Sequence, residues 1–141
     1  MSVLDELAAK LVADGVGVLG TSIFIGSAAV LPGGDGPYIT LLETGGIAPG
    51  GFRGEGGRTQ NQDSIATQHP TVQVVSRAKS YQAARAKAKA AFDSLDGTWN
   101  EILSGTYYLK ITARQEPTDT GLDDAGRVRI TFNVDTDKAP S

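Results

Sequence analysis

Arg127-Val128-Arg129-Ile130-Thr131-Phe132-Asn133-Val134-Asp135 alternates apolar and polar residues more cleanly than any other stretch of the chain. Side chains leave a strand on alternating faces, so Val128, Ile130, Phe132 and Val134 point one way and Arg127, Arg129, Thr131 and Asn133 the other. A strand with one apolar face belongs to a sheet that covers a core on that side and meets water or a partner on the other. Upstream, Lys110, Thr112 and Arg114 share the polar parity on a strand over 107–114, which a Ser104-Gly105 turn joins to residues 99–103 as a hairpin. The resulting Thr/Arg/Lys face is solvated in a monomer, and an interface or ring lining in an assembly.

Working outward, residues 71–78 read as another strand. Ser80 then caps a helix over 81–95, whose stripe is Tyr81, Ala84, Ala88, Ala91, Phe92 and Leu95. Its small alanines allow close packing on a sheet, and Gly97, past Asp96, ends it. A first helix places Val3, Leu4, Leu7, Ala8, Leu11 and Val12 on one face, with Ser2 as N-cap, Asp5 and Glu6 in the first turn, and Gly15 as its stop. Short strands are expected over 21–25 and 38–44, the second after the turn-forming residues 32–37. Residues 116–126 read as a loop. From 45 to 68 the chain is glycine-rich and polar, with too few large apolar residues to offset ordering entropy, which predicts a long flexible loop. The expected fold is a single α+β domain over 1–141: a mostly antiparallel sheet, two helices packed on one face, and the long Gly-rich loop.

Composition narrows the chemistry. A length of 141 residues with 40% hydrophobic content suits one core rather than two domains or wholesale disorder. With no cysteine and one histidine, there is no disulfide framework, thiolate nucleophile, cysteine zinc site or multi-histidine metal site. The start carries Asp5 and Glu6 where a signal peptide needs bases, and no segment has the apolar length of a spanning helix, so a soluble, cytoplasmically made protein with no membrane partner is expected. The net charge of -3 does not suggest a nucleic-acid binder overall, but the charge is segregated. Residues 1–76 hold three bases and seven acids, residues 77–89 five bases and no acid, and residues 90–141 five bases and nine acids.

Candidate sites are few. Gly51-Phe52-Arg53-Gly54-Glu55-Gly56-Gly57-Arg58-Thr59 superficially suggests a P-loop, but Gly57 stands where the lysine belongs, Arg58 comes one place late, and Thr59-Gln60-Asn61-Gln62-Asp63 starts a helix poorly. His69, before Pro70, has no second ligand candidate beside it in sequence. Asp119, Asp123 and Asp124 lack the ligand spacing and closing glutamate of an EF-hand loop. Ser76 and Ser104 sit in no nucleophile elbow. The cations Arg85, Lys87 and Lys89 flank the second helix's apolar stripe, where long basic chains lie over a core or reach an acidic neighbour. No catalytic, cofactor or metal residue is assigned.

Several blocks together resemble a known family: Val3-Leu4-Asp5-Glu6-Leu7-Ala8 leading to Gly15-Val16-Gly17; Glu43-Thr44-Gly45-Gly46 with Pro49; Pro70-Thr71-Val72-Gln73-Val74-Val75-Ser76-Arg77-Ala78-Lys79-Ser80-Tyr81 running into Ala84-Arg85; Leu95-Asp96-Gly97; and Gly126-Arg127 with Phe132. In this order they are similar to the minor capsid or tail terminator proteins of long-tailed bacteriophages. The Gly-rich loop is longer than that pattern. The resemblance implies a structural virion protein of the tail and neck, assembled in the host cytoplasm. It would form a hexameric ring that caps the head-proximal end of the tail tube, stops polymerisation and joins the head connector. The implied partners are further copies of itself, the tail tube protein, a head-completion or connector protein, and DNA passing through the lumen. On this reading Gly45, Phe52, Arg53 and Arg58 are candidates for inter-ring contacts, and Arg77, Lys79, Arg85, Lys87, Lys89, Arg127 and Arg129 for subunit pairing. Two alternatives stay open: a head-completion or connector-adaptor ring of the same neck, and a phosphate- or nucleotide-binding protein using the Gly-rich loop.

Overall fold

Helix α1 (Val3–Ala13) begins where the sequence supplies both halves of a capping box: the Ser2 hydroxyl accepts from the Asp5 amide and the Asp5 carboxylate accepts from the Ser2 amide. The structure, a computed structural model, describes residues 2–26, 36–47, 68–122 and 126–139. After α1 come β1 (Ile23–Ile25), β2 (Tyr38–Ile47), β3 (His69–Ala78), α2 (Tyr81–Leu95), β4 (Thr98–Leu103), β5 (Thr106–Ala113), β6 (Thr118–Leu122) and β7 (Val128–Lys138). Ser80 caps α2, its hydroxyl accepting from the Ala83 amide.

The strands form one sheet in the order β1-β2-β3-β7-β5-β4, with β6 beside β7. The sheet is mixed: β1 runs parallel to β2, and the other pairings of named strands among the described residues are antiparallel. β7 is the centre of the layout. One of its edges pairs with β3 from Val128 to Asp135, while the other is shared by β6 at its start and β5 at its end. Ile130, Phe132 and Val134 are buried, as their alternation predicts.

Both helices pack on that apolar face. Leu7, Ala8 and Leu11 of α1 and Ala91 and Leu95 of α2 share one core with Ile39, Leu41, Val72, Val74, Tyr108, Ile111, Phe132 and Val134. Phe92 meets Phe132 edge to face, with centroids 5.6 Å apart. A smaller cluster joins Ala84 and Ala88 to Ala78 and Ile130, and the Ser76 hydroxyl donates to the Ala84 carbonyl beneath the helix.

Four boundaries depart from the sequence reading. β2 continues three residues beyond Thr44, so Gly45 and Gly46 pair with Thr71 and Pro70 across a register shift. Gly45 has φ +94° there, a conformation that glycine adopts without strain. Gln68 bridges to Lys138, and the part of the expected loop between these pairings, residues 48–67, lies outside the described residues. Within the expected 116–126 loop, β6 forms because β5 pairs only the far end of β7, leaving the edge of residues 128–131 open to a partner. Finally, β7 runs on to Lys138, with Thr136 and Lys138 continuing the inward parity. On the helices, Val12 and Tyr81 are exposed rather than part of the buried stripes.

Candidate functional site

The odd-numbered residues of β3 and β7 form the face away from the helices. Arg77 stands opposite Arg129 on β7 and opposite Tyr38 on β2, with its guanidinium 5.3 Å from the Tyr38 ring centre. At the other end of the face, His69, Thr71, Lys110, Arg114, Asp135 and Asp137 line an open depression of about 480 Å³. Its charges answer one another: Arg114 Nε donates to Asp135 at 2.8 Å, Thr71 Oγ1 donates to the same carboxylate at 3.3 Å, and His69 Nδ1 meets Asp137. His69 is therefore the first residue of β3 with a carboxylate partner brought from far along the chain. Among the described residues no group of three or more His, Cys, Asp or Glu side chains is placed to hold a metal ion. Nor is any described helix long and apolar enough to cross a membrane.

A second depression, about 300 Å³, lies between the C-terminal half of α1 and β4, lined by Lys10, Ala13, Asp14, Glu101, Ile102 and Leu103. Lys10 Nζ sits between Asp14 at 3.2 Å and Glu101 at 3.3 Å. Asp14 also accepts from Ser94 at 2.6 Å; that bond and Lys10 hold its carboxyl below the usual range against a burial effect that raises it. On the sheet edge beside this groove, Trp99 and Ile102 are 65% and 68% exposed.

The cations of α2 are largely engaged within the chain. Arg85 Nη1 donates to the Pro117 carbonyl at 2.8 Å, Lys87 donates to the Val16 carbonyl, and Lys89 pairs with Asp93 at 3.3 Å. Burial pushes the Lys87 ammonium below the ordinary lysine range. Lys79 is exposed before the α2 cap, Arg127 is half-buried before β7, and Arg129 is exposed on β7. The register of β3 and β7 sets Arg77 opposite Arg129 and Ala78 opposite Val128, which brings the chain positions of Lys79 and Arg127 to the same end of the sheet. Of the inter-ring candidates, Gly45 lies in β2; Phe52, Arg53 and Arg58 lie outside the described residues.

One polar cluster went unnoticed in the sequence. Glu6 and Lys138 are both buried and pair at 3.1 Å, and Glu6 also accepts from Tyr108 Oη at 2.6 Å and from the Thr106 hydroxyl. Burial raises the Glu6 carboxyl, but the hydrogen bonds from Thr106, Tyr108 and Lys138 and the Lys138 charge outweigh it, leaving Glu6 below its ordinary value. The same burial, with Glu6 alongside, pushes the Tyr108 phenol far up. Glu6, Tyr108 and Lys138 are all buried, and their contacts tie α1 to β5 and β7. The available signal was Lys138 at inward parity on an extended β7.

The sequence matches the family described as bacteriophage tail terminator protein over residues 10–138. A solved chain from the virion of a native gene transfer agent particle has a similar fold, with a TM-score of 0.59 and 16% identity, covering 99% of this chain and 87% of that one. No curated protein sequence is similar to the chain.

Proposed function

The chain belongs to the bacteriophage tail terminator family, a structural family of the virion tail, and from that premise we propose that it closes into a ring of six copies on the head-proximal end of the tail tube. The ring ends tube polymerisation and offers its outer surface to the head connector. The observation that carries this reading is the family match across residues 10–138. The surfaces described above support it. The depression on the open sheet face holds balanced ion pairs rather than a catalytic constellation, and the exposed apolar residues lie at sheet and helix edges where neighbouring subunits can meet them.

The mechanism is steric and electrostatic. One face of the ring copies an incoming tube layer, and the other lacks the surface on which a further layer would seat. Residues 45–68, with Gly45, Phe52, Arg53 and Arg58, supply contacts between rings, and the basic residues around the start of α2 supply contacts between subunits. DNA crosses the lumen. No bond is made or broken, and no cofactor is used.

The experiment is to add the purified protein to tail tube protein polymerising in solution and measure tube lengths by electron microscopy. Addition far below the tube subunit concentration shortens the tubes, and gold-labelled protein sits at one end only. Unchanged lengths, or label along the tube walls, would reject the capping role.

A further inference from the structure

We propose that the outer half of the hairpin of β4 and β5 is a two-register switch, latched by Glu6 and Lys10 of α1 in the register that leaves Ile102 and Tyr107 outside. In a regular strand every second side chain faces the same way, and both strands of this hairpin break that rule. On β5, Tyr108 and Ile111 are both fully buried although they stand three positions apart. On β4, the Thr98 hydroxyl donates to the Leu95 carbonyl of α2 at 3.0 Å, and Leu103, five positions on, is buried as well. The two breaks face each other. Trp99 pairs with Lys110 and Glu101 with Tyr108, so Asn100 and Leu109 are the residues passed over, one on each strand. Asn100 has φ +50°, and β5 shifts its pairing with β7 between Tyr108 and Lys110.

Each strand thus carries one extra residue at the kink, and the pairing between the two strands is the same on either side of it. Straightening both kinks lengthens the hairpin by one residue step, about 3.3 Å, and turns every side chain between the kinks and the Ser104-Gly105 turn to the opposite face. Ile102, Tyr107 and Leu109 then face the helices, and Glu101, Leu103, Thr106 and Tyr108 face away. Apolar burial does not decide between the registers. The present one leaves Ile102 68%, Leu109 40% and Tyr107 39% exposed, while it keeps Leu103 and Tyr108 inside. What selects it is polar. Glu6 accepts from Thr106 and Tyr108, and Lys10 donates to Glu101 at 3.3 Å, all on the turn side of the kinks. On the outer face the Tyr107 hydroxyl donates to Asn100 at 2.6 Å. The inner half stays fixed in both registers, because Thr98 is held by α2 and Lys110 and Ile111 by β7. A shift of α1 off the hairpin removes Glu6 and Lys10 together, so the position of that helix governs whether Ile102 and Tyr107 are presented or withdrawn.

The chain has no cysteine, so a single introduced thiol reports one face of the hairpin. Ile102→Cys and, separately, Leu103→Cys are made in the wild-type chain and in Glu6→Leu with Lys138→Met, which removes the latch without leaving either charge buried alone. In the wild-type background Ile102→Cys reacts with a thiol reagent about tenfold faster than Leu103→Cys, and in the unlatched background the order reverses while the melt stays cooperative. A second variant reads the switch with the latch intact, and so stands even if the unlatched chain does not fold. Asn100→Val resists a positive φ, which speeds labelling of Leu103→Cys about tenfold and slows that of Ile102→Cys, whereas Asn100→Gly leaves both rates as in the wild type. An unlatched chain that folds with the order unchanged, or with both thiols equally fast as in a frayed hairpin, overturns the proposal. Rates that do not differ between Asn100→Val and Asn100→Gly overturn it as well.

Discussion

Replacing Lys138 with methionine lowers stability by about 3–5 kcal/mol at neutral pH, because it leaves the Glu6 carboxylate buried without its counter-charge. The hydroxyls of Thr106 and Tyr108 still donate to Glu6, so the loss is that of charge rather than of every hydrogen bond. The pH dependence separates this cause from simple loss of packing. In the wild type the Glu6 carboxyl titrates below its ordinary value of 4.5, so the folded state releases that proton more readily than the unfolded state. The stability it contributes is fully present above that ordinary value and is lost as the pH falls through the lower folded value. In Lys138→Met the sign reverses: burial now raises the Glu6 carboxyl, the folded state holds the proton more tightly, and acidification from neutral pH restores part of the deficit. Urea unfolding of both chains between pH 4 and 8 checks this. Parallel pH slopes would mean that the pair contributes no ionic linkage.

Phe132→Ala is the second large loss, about 3–5 kcal/mol, or roughly 10–20 °C in melting temperature. Phe132 is fully buried in the middle of β7, opposite Val74, and meets the Phe92 ring of α2 edge to face. Truncation opens a cavity where the sheet joins α2, and β7 cannot close it because β3 holds it on one edge and β5 and β6 on the other. Calorimetry reads the loss directly. An unchanged melting temperature with failed assembly would make the row containing Ile130, Phe132 and Val134 an interface instead.

The amino-acid sequence made the local periodicities legible. The stripe of α1, the alanine row of α2, the hairpin of β4 and β5 and the inward row of β7 all follow from spacing, and the Ser2 and Ser80 caps from residue type. What it concealed depends on distant partners. Thr136-Asp137-Lys138 looks like a polar tail until Glu6, far away in the sequence, gives Lys138 a buried counter-ion. Thr118-Asp119-Thr120-Gly121-Leu122 has the composition of a turn and becomes a strand because β7 offers an unpaired edge. Counting charges along α2 marked a basic surface, yet Arg85 and Lys87 donate to the carbonyls of Pro117 and Val16, acceptors that no charge count contains. The exposure of Trp99 and Ile102 was equally hidden, since an apolar side chain on an edge strand has the same residue type whether it faces the core or a neighbouring subunit. The groove between α1 and β4 needs both helix and hairpin in place before Asp14 and Glu101 meet over Lys10.

The capping role is tested most directly by tail length, measured by electron microscopy in cells that produce the particle without this protein. Overlong tubes that never join heads are the predicted result. Tails of normal length, whether or not they are attached to heads, would contradict it.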